Sequence, residues 1–398
     1  MTSALPTLRL KPKTNARRIA HGFPWVYANE IVTDRRTRAI APGSIAVLEN
    51  ENREPIAMVA VNLNSKIAGR VLDLSIGEVP EAEWFHQKIR QAAAFRKKIY
   101  SADFYRLVHA EADGLPGLVI DRFGDVAVIQ PNSAWAEANL DRITDAVMAE
   151  TGVARVFKNA SGRARVAEGL DDTSVAMIGS FDAPLPVEMN GATYFADIIG
   201  GQKTGLFFDQ RDNHHFVAQC ARDTRVLDVF SHVGGFGLAA LAGGATSTIC
   251  VDGSEAALGL ASQGAAEMGC ETRFTSLKSD AFDALSNFSQ DGAQFGTVIC
   301  DPPAFAPHKG ALEAGLRAYE KVARLAAPLV ETGGTLTLCS CSHAASLEKF
   351  RTACIRGIGR AGRKAQILRT GFASPDHPQH PQLAESGYLK AITFGIQG

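Results

Sequence analysis

Through roughly the first 75 positions, short apolar blocks (LRLK, SIAVLEN, PIAMVAVN, RVLDLS) alternate with Pro and Gly turns, with Pro24-Trp25-Val26-Tyr27 among them. This pattern predicts a small β-rich domain over residues 1–75. The period then changes. Residues 81–100 (EAEWFHQKIRQAAAFRKKIY) carry apolar side chains at helical spacing and predict an amphipathic helix. A turn at Asp113-Gly114-Leu115-Pro116-Gly117, a hairpin through Phe123-Gly124-Asp125, a helix near 134–151 and a strand at 153–158 follow. Together they predict a small α+β domain over residues 76–184.

From Val187 the pattern changes again, opening with Asn190-Gly191, a strong two-residue hairpin signal. Strands are then predicted at 226–230, 247–251, 272–275, 297–300, 334–339, 365–370 and 389–394, with helical segments between the early ones. The last two lack a long helix between them, so the α/β domain over 185–398 should hold a mostly parallel sheet finishing in an antiparallel pair. Ligands of such sheets sit beyond the carboxyl ends of the strands.

The stretch VLDVFSHVGGFGLAALAGGATSTICVD, Val226 to Asp252, reads as a strand, a glycine turn, a short helix from Leu238 to Ala242 and a second strand. Glycines at 234, 235 and 237 are expected to take positive φ and to let a ligand approach the backbone. Asp252, ending the second strand, can accept from both hydroxyls of a ribose. Gly235, Gly237 and Ala240 also meet the looser dinucleotide fingerprint, so spacing alone leaves NAD open. Asp228, ahead of the glycines, suits the α-ammonium of S-adenosylmethionine better than a pyrophosphate. Asp280, after the third strand, is expected either to accept from an adenine amine beside Phe282 or to cap a helix.

After the fourth strand comes Asp301-Pro302-Pro303-Ala304-Phe305, in which proline bends the chain off the sheet and presents Asp301, while Phe305 can stack a flat substrate. The fifth strand ends in Cys339-Ser340-Cys341-Ser342. A helix start after Cys341 would favour its thiolate. Thiolate addition to C6 of a pyrimidine makes C5 nucleophilic enough to take a methyl group. Cys250, Cys300 and Cys339 lie within strands and read as small buried hydrophobes. The same Asp-Pro-Pro turn would serve methylation of an exocyclic amine, with Cys341 incidental, and a non-catalytic RNA-binding role is the third reading.

Composition narrows the setting. The seven cysteines all fall at or after Cys220 and form no C-x-x-C pair, which points to a reducing cytoplasm rather than a disulfide framework. No apolar run reaches the length needed to span a bilayer, so no membrane role is expected, and no metal motif occurs. The net charge of −1 hides a basic beginning: residues 1–40 hold Arg9, Lys11, Lys13, Arg17, Arg18, Arg35, Arg36 and Arg38 against Glu30 and Asp34. Such an end can meet phosphates. No motif sets the oligomeric state, and a homodimer is compatible with the sequence.

Taken together, LKPKTNARRIAHGFPWVYANEI, EADGLPGLVIDRFGD, QKTGLFFDQRDNH, VLDVFSHVGGFGLAAL, DPPAF, GGTLTLCSCS and SGYLK resemble one family over nearly the whole length. It is the bacterial 23S ribosomal RNA cytosine-5 methyltransferases that join a PUA domain, a central α+β domain and a class I, Rossmann-like methyltransferase domain. The resemblance implies S-adenosylmethionine held by Asp228, Phe230, Gly234, Gly235, Asp252 and Asp280, with Gln210 and Arg211 shaping the pocket. It further implies Cys341 as nucleophile, Asp301 as the group that holds the base, with Pro302 and Phe305 beside it, and ribosomal RNA as substrate. The chain departs from the family at Ala304, where lysine is frequent, and at His232 and Cys339, where aromatics are.

Overall fold

A computed structural model describes residues 5–77, 79–201 and 205–397. The chain divides into two compact units: Met1–Asp182 with Pro378–Ala384, and Ala183–His377 with Glu385–Gly398. The short, proline-rich return of 378–384 to the first unit has no periodic signal in the sequence.

The first unit holds two five-stranded sheets. One is ordered Thr7–Arg9, Ile45–Glu49, Pro55–Val61, Ile67–Asp73, Trp25–Tyr27, and it matches the apolar blocks of the β-rich segment. The other, ordered Val175–Ile178, Arg155–Lys158, Val126–Pro131, Leu118–Phe123, Phe104–His109, packs against the predicted amphipathic helix, here Ala82–Ile99. The helix expected near 134–151 breaks at Asn139 into Ala134–Ala138 and Leu140–Thr151.

The acids of EADGLPGLVIDRFGD serve the interior of this unit. Glu111 accepts from Trp25 Nε1 at 2.9 Å and from Arg70 at 2.7 Å. Asp113 takes Arg96 in a two-pronged bond at 2.6 and 2.8 Å, and Asp121 takes Arg106. Buried guanidinium groups require such partners, since an unpaired one is costly.

In the second unit Asn190 and Gly191 both have positive φ, 56° and 75°, as a two-residue hairpin turn between Leu185–Met189 and Ala192–Ala196 requires. The seven-stranded sheet consists of β1 (Arg225–Val229), β2 (Ser247–Asp252), β3 (Phe274–Lys278), β4 (Phe295–Cys300), β5 (Val330–Ser340), β6 (Lys364–Gly371) and β7 (Lys390–Gln397). Their spatial order is β3-β2-β1-β4-β5-β7-β6. Only β7 runs antiparallel, and it does so to both its neighbours. The helices are α1 (Gly235–Ala242), α2 (Glu255–Glu267), α3 (Ala281–Gln290), α4 (Leu312–Ala326) and α5 (Leu347–Arg360).

Central β4, FGTVIC, is buried at every position, as a parallel strand covered on both faces must be, whereas edge strand β3 is mostly exposed. The main core joins β1, β4, β5 and β7 to α3, α4 and α5 through Phe295, Leu336, Tyr319, Phe350 and Phe394. Among the described residues no helix is long and apolar enough to cross a membrane. No group of three or more His, Cys, Asp or Glu among them could hold a metal ion.

Candidate functional site

The site is built on the carboxyl ends of β1, β2, β4 and β5. After β1 the chain reverses hand repeatedly: Phe230, His232 and Gly234 have φ of 63°, 49° and 80°. Two of the three are not glycine, and each such residue costs of order 1–3 kcal/mol unless its surroundings fix it. Asp252 helps to fix them. Its Oδ2 accepts from His232 N at 2.9 Å and its Oδ1 from Ser254 N at 2.8 Å.

The expectation that Gly235 and Gly237 take positive φ is not met, because helix α1 already begins at Gly235 and both lie within it. They are required for space. A Cβ on Gly235 would lie 2.9 Å from the His214 ring, and one on Gly237 would lie 2.5 Å from Cys250 Sγ. His214, from the helix Arg211–Cys220, is buried edge-on against Phe236, and desolvation pushes its pKa down to about 3, so it stays neutral.

Asp228 also differs from expectation. It is wholly buried, and its Oδ2 accepts from Gly237 N at 2.8 Å, so it ties strand to helix instead of presenting a charge to a ligand's ammonium. Burial raises its pKa from 3.8 to about 8, with Asp301 and Asp252 adding to the rise. The group is therefore mostly protonated at neutral pH. Between these two values the unfolded chain releases the proton and the folded one keeps it, so folding stability falls as pH rises through that window. Asp228→Asn retains an acceptor for Gly237 and cannot charge. Its melting temperature should exceed that of the wild type by more at pH 8.5 than at pH 5, and thermal denaturation at the two values checks this.

Asp280 caps α3: its Oδ1 accepts from Phe282 N at 2.8 Å and Asp283 N at 3.2 Å. The capping reading therefore holds, and the exposed carboxylate keeps Oδ2 open. Phe282 stacks on Phe305 with ring centres 6.4 Å apart, and Phe230 meets Phe305 edge-on at 6.3 Å. Both predicted halves of the site thus share one aromatic cluster, which Tyr319 of α4 closes at 5.0 Å from Phe305.

Gln210 bonds to the turn after β4: its Nε2 donates to Asp301 Oδ2 at 3.0 Å, and Asn213 Nδ2 donates to its Oε1 at 2.7 Å. Arg211 is buried, with its guanidinium 5.5 Å from the Phe208 ring. The residues 202–204 at the start of that motif lie outside the described residues. Pro302 is buried, whereas Asp301 and Phe305 are half-buried, so the acid and the ring of the turn after β4 both remain partly exposed.

Cys341 is half-buried one residue beyond β5. It does not precede a helix directly, since α5 starts at Leu347 with Ser346 as its cap. A turn of five residues intervenes, so a helix terminus is not what acts on the thiol. Cys250, Cys300 and Cys339 are buried, and desolvation pushes all three thiols up.

Ser342 joins the loops that follow β4 and β5. Its Oγ accepts from Ala306 N at 3.0 Å and shares a hydrogen bond of 2.8 Å with the Tyr319 hydroxyl, to which Ser340 Oγ donates at 2.8 Å. Lys390 Nζ donates to Ser342 O at 2.8 Å and Ala345 O at 2.9 Å. Tyr319 and Lys390 are not legible as site residues in the sequence, because their roles depend on contacts distant along the chain. SGYLK marks Lys390, and no motif marks Tyr319.

Comparison with known proteins places this geometry. Residues 8–74 match a PUA-like domain. Residues 165–393, more than half of the chain, match the S-adenosylmethionine-dependent methyltransferase family. The chain belongs to that family. It is 32% identical to the Ribosomal RNA large subunit methyltransferase I of Vibrio vulnificus, with 100% of each chain covered. It is 33% identical to the protein of the same name from Aliivibrio fischeri, over 97% of this chain and 98% of that one. A SAM-dependent methyltransferase from Streptococcus mutans superposes with a TM-score of 0.81 at 18% identity, covering 98% of this chain and 99% of that one. A methyltransferase solved in complex with SAH gives the same figures. At such identity the likeness concerns the fold.

The methyltransferase domain suits S-adenosylmethionine on its own geometry. Both Asp252 oxygens keep a lone pair after their backbone bonds, which meets the two donors of a ribose. Asp280 is exposed and its backbone bonds use only Oδ1, which leaves Oδ2 to accept from an adenine amine. Phe282, two residues on, is half-buried, with Lys321 Nζ 4.3 Å from its ring centre. Asp228 Oδ1, beneath the turn, has no partner among the described residues.

Proposed function

We propose that this methyltransferase forms 5-methylcytidine in large-subunit ribosomal RNA, working in the cytoplasm through a covalent bond between Cys341 and the target base. The observation that carries the reading is the half-buried thiol of Cys341, joined through Ser342 and Ala306 to the turn that bears Asp301 and Phe305. The full-length likeness to proteins named for the large-subunit ribosomal RNA supports the substrate.

Three domains share the work in this reading. Residues 1–75 grip RNA, 76–184 form the central α+β domain, and 185–398 carry the chemistry. Lys11, Lys13, Arg17, Arg35, Arg36 and Arg38 are exposed and available to phosphates. Arg18 is not among them, for it pairs with Glu30 and lies 4.6 Å from the Phe23 ring centre.

Bound in the crevice, S-adenosylmethionine supplies the methyl group. The chain positions the cytidine: a base turned out of local structure stacks on Phe305, and Asp301, oriented by Gln210, meets its N3 and N4 edge. Cys341 sulfur adds to C6, the C5=C6 pair moves to C5, and C5 takes the methyl. Loss of the C5 proton restores the double bond and expels the sulfur. Mass spectrometry of ribosomal RNA from cells lacking this protein tests the proposal: one 5-methylcytidine should vanish from the large-subunit RNA. An unchanged complement of that nucleoside would refute it.

A further inference from the structure

Lys390 sits in β7 opposite Ser340 of β5, so its side chain starts beside the strand end that leads into Cys341. It is 3% exposed. Two of its three N–H groups go to the carbonyls of Ser342 and Ala345, the turn directly after the thiol. Among the described residues it forms no ion pair with a carboxylate, and the acidic group whose charge reaches it is Cys341. A buried ammonium without an anion is unfavourable, and dipoles of two carbonyls offset only part of the cost. Desolvation accordingly pushes Lys390 down to about 8, and the neighbouring Cys341 acts in the opposite sense.

We propose that Lys390 is a positioning residue for the methyl transfer: its ammonium provides the positive charge against which Cys341 ionises, while its two carbonyl bonds hold the turn that aims the sulfur. The proposal rests on the reading of Cys341 as nucleophile and replaces the helix terminus that the sequence suggested. When Cys341 ionises, its S–H proton passes to water and the sulfur keeps the electron pair facing the ammonium. The same charge favours departure of sulfur later, when the pair of the C6–S bond returns to it.

Three other described groups near the thiol carry no positive charge of this kind. Tyr319 faces it from α4, with a hydroxyl that burial keeps protonated. Asp301, in the turn after β4, is an acid and opposes ionisation of its thiol neighbours, as it does for Cys339. His343 is exposed on the turn itself. Lys390 is a buried cation whose two hydrogen bonds reach the turn directly after the thiol.

The test is the pH profile of Cys341 alkylation by iodoacetamide, read by peptide mass spectrometry because Cys220 is also half-buried and would react. In the full-length protein, Lys390→Gln should move the profile up by at least one pH unit, so that Cys341 alkylation at pH 7 slows about tenfold. Lys390→Arg, which keeps the charge, should restore most of the wild-type profile. Thermal melts identify variants that fail to fold, and the Arg variant keeps the test decisive if the Gln variant does. An unmoved profile in folded Lys390→Gln, or an Arg variant no better than Gln, would overturn the proposal. Methylation by Cys341→Ala would instead overturn the nucleophile reading beneath it, which the alkylation profile does not measure.

Discussion

Cys341→Ala should lose methyl transfer by more than about 10⁴-fold, the scale on which removal of a covalent nucleophile acts. S-adenosylmethionine affinity should stay at the wild-type value, since the ligand-facing groups after β1, β2 and β3 are untouched. Cys339→Ala is the matched control. Cys339 lies two residues earlier on the same strand, 1% exposed, with a thiol that desolvation pushes up, so it has neither the access nor the charge for nucleophilic attack. Its replacement should preserve activity. Single-turnover methylation together with calorimetric titration of the cofactor separates chemistry from binding in both variants.

The second large effect belongs to the glycine turn. In Gly237→Ala the new Cβ would stand 2.5 Å from Cys250 Sγ and 2.9 Å from Thr248 Cγ2, both on β2 and both held in the sheet. Overpacking of this kind costs about 1–3 kcal/mol. Helix α1 must move off the sheet, and the Gly237 bond to Asp228 and the shape of the turn go with it. A fall of several degrees in melting temperature and at least tenfold weaker cofactor binding are expected, read by thermal denaturation and calorimetry. Gly253→Ala is the control. Gly253 directly follows β2, and a Cβ built there meets nothing within 4 Å, so this replacement should change neither quantity.

Much of the architecture could be read from the sequence because apolar runs and turn residues carry it. All seven strands of the second unit's large sheet fall within a few residues of expectation, and Asn190-Gly191 adopts the turn its residue types favour. The strand Phe104–His109 has no clear signal because Arg106 interrupts its apolar pattern, and that arginine is hydrogen-bonded to Asp121 and His109. The left-handed Phe230 and His232 were not legible either. Their residue types argue against positive φ, and the bond that fixes His232 comes from Asp252, twenty positions away.

The candidate site was legible as a set of strand ends but not as a network. Asp252, Asp280, Asp301, Phe305 and Cys341 each stand at or just past the end of a strand, where the pattern put them. What they touch depends on tertiary contacts. Asp228 turned inward because its strand position faces α1, and Gln210 reached Asp301 from a helix start that lies before the sheet begins. Five residues separate Cys341 from the first residue of its helix, a distance that local preference did not reveal.

In the proposed reaction the sulfur of Cys341 bonds to C6 while C5 accepts the methyl group. A cytidine with fluorine at C5 cannot lose a proton after methyl transfer, so the bond to sulfur cannot be released. Incubation of the protein and S-adenosylmethionine with large-subunit RNA containing 5-fluorocytidine should yield a protein–RNA complex that survives a denaturing gel, and peptide mapping should place the link on Cys341. Full methylation of ordinary RNA with no such complex from the fluorinated RNA would contradict the account and favour methylation of an exocyclic amine.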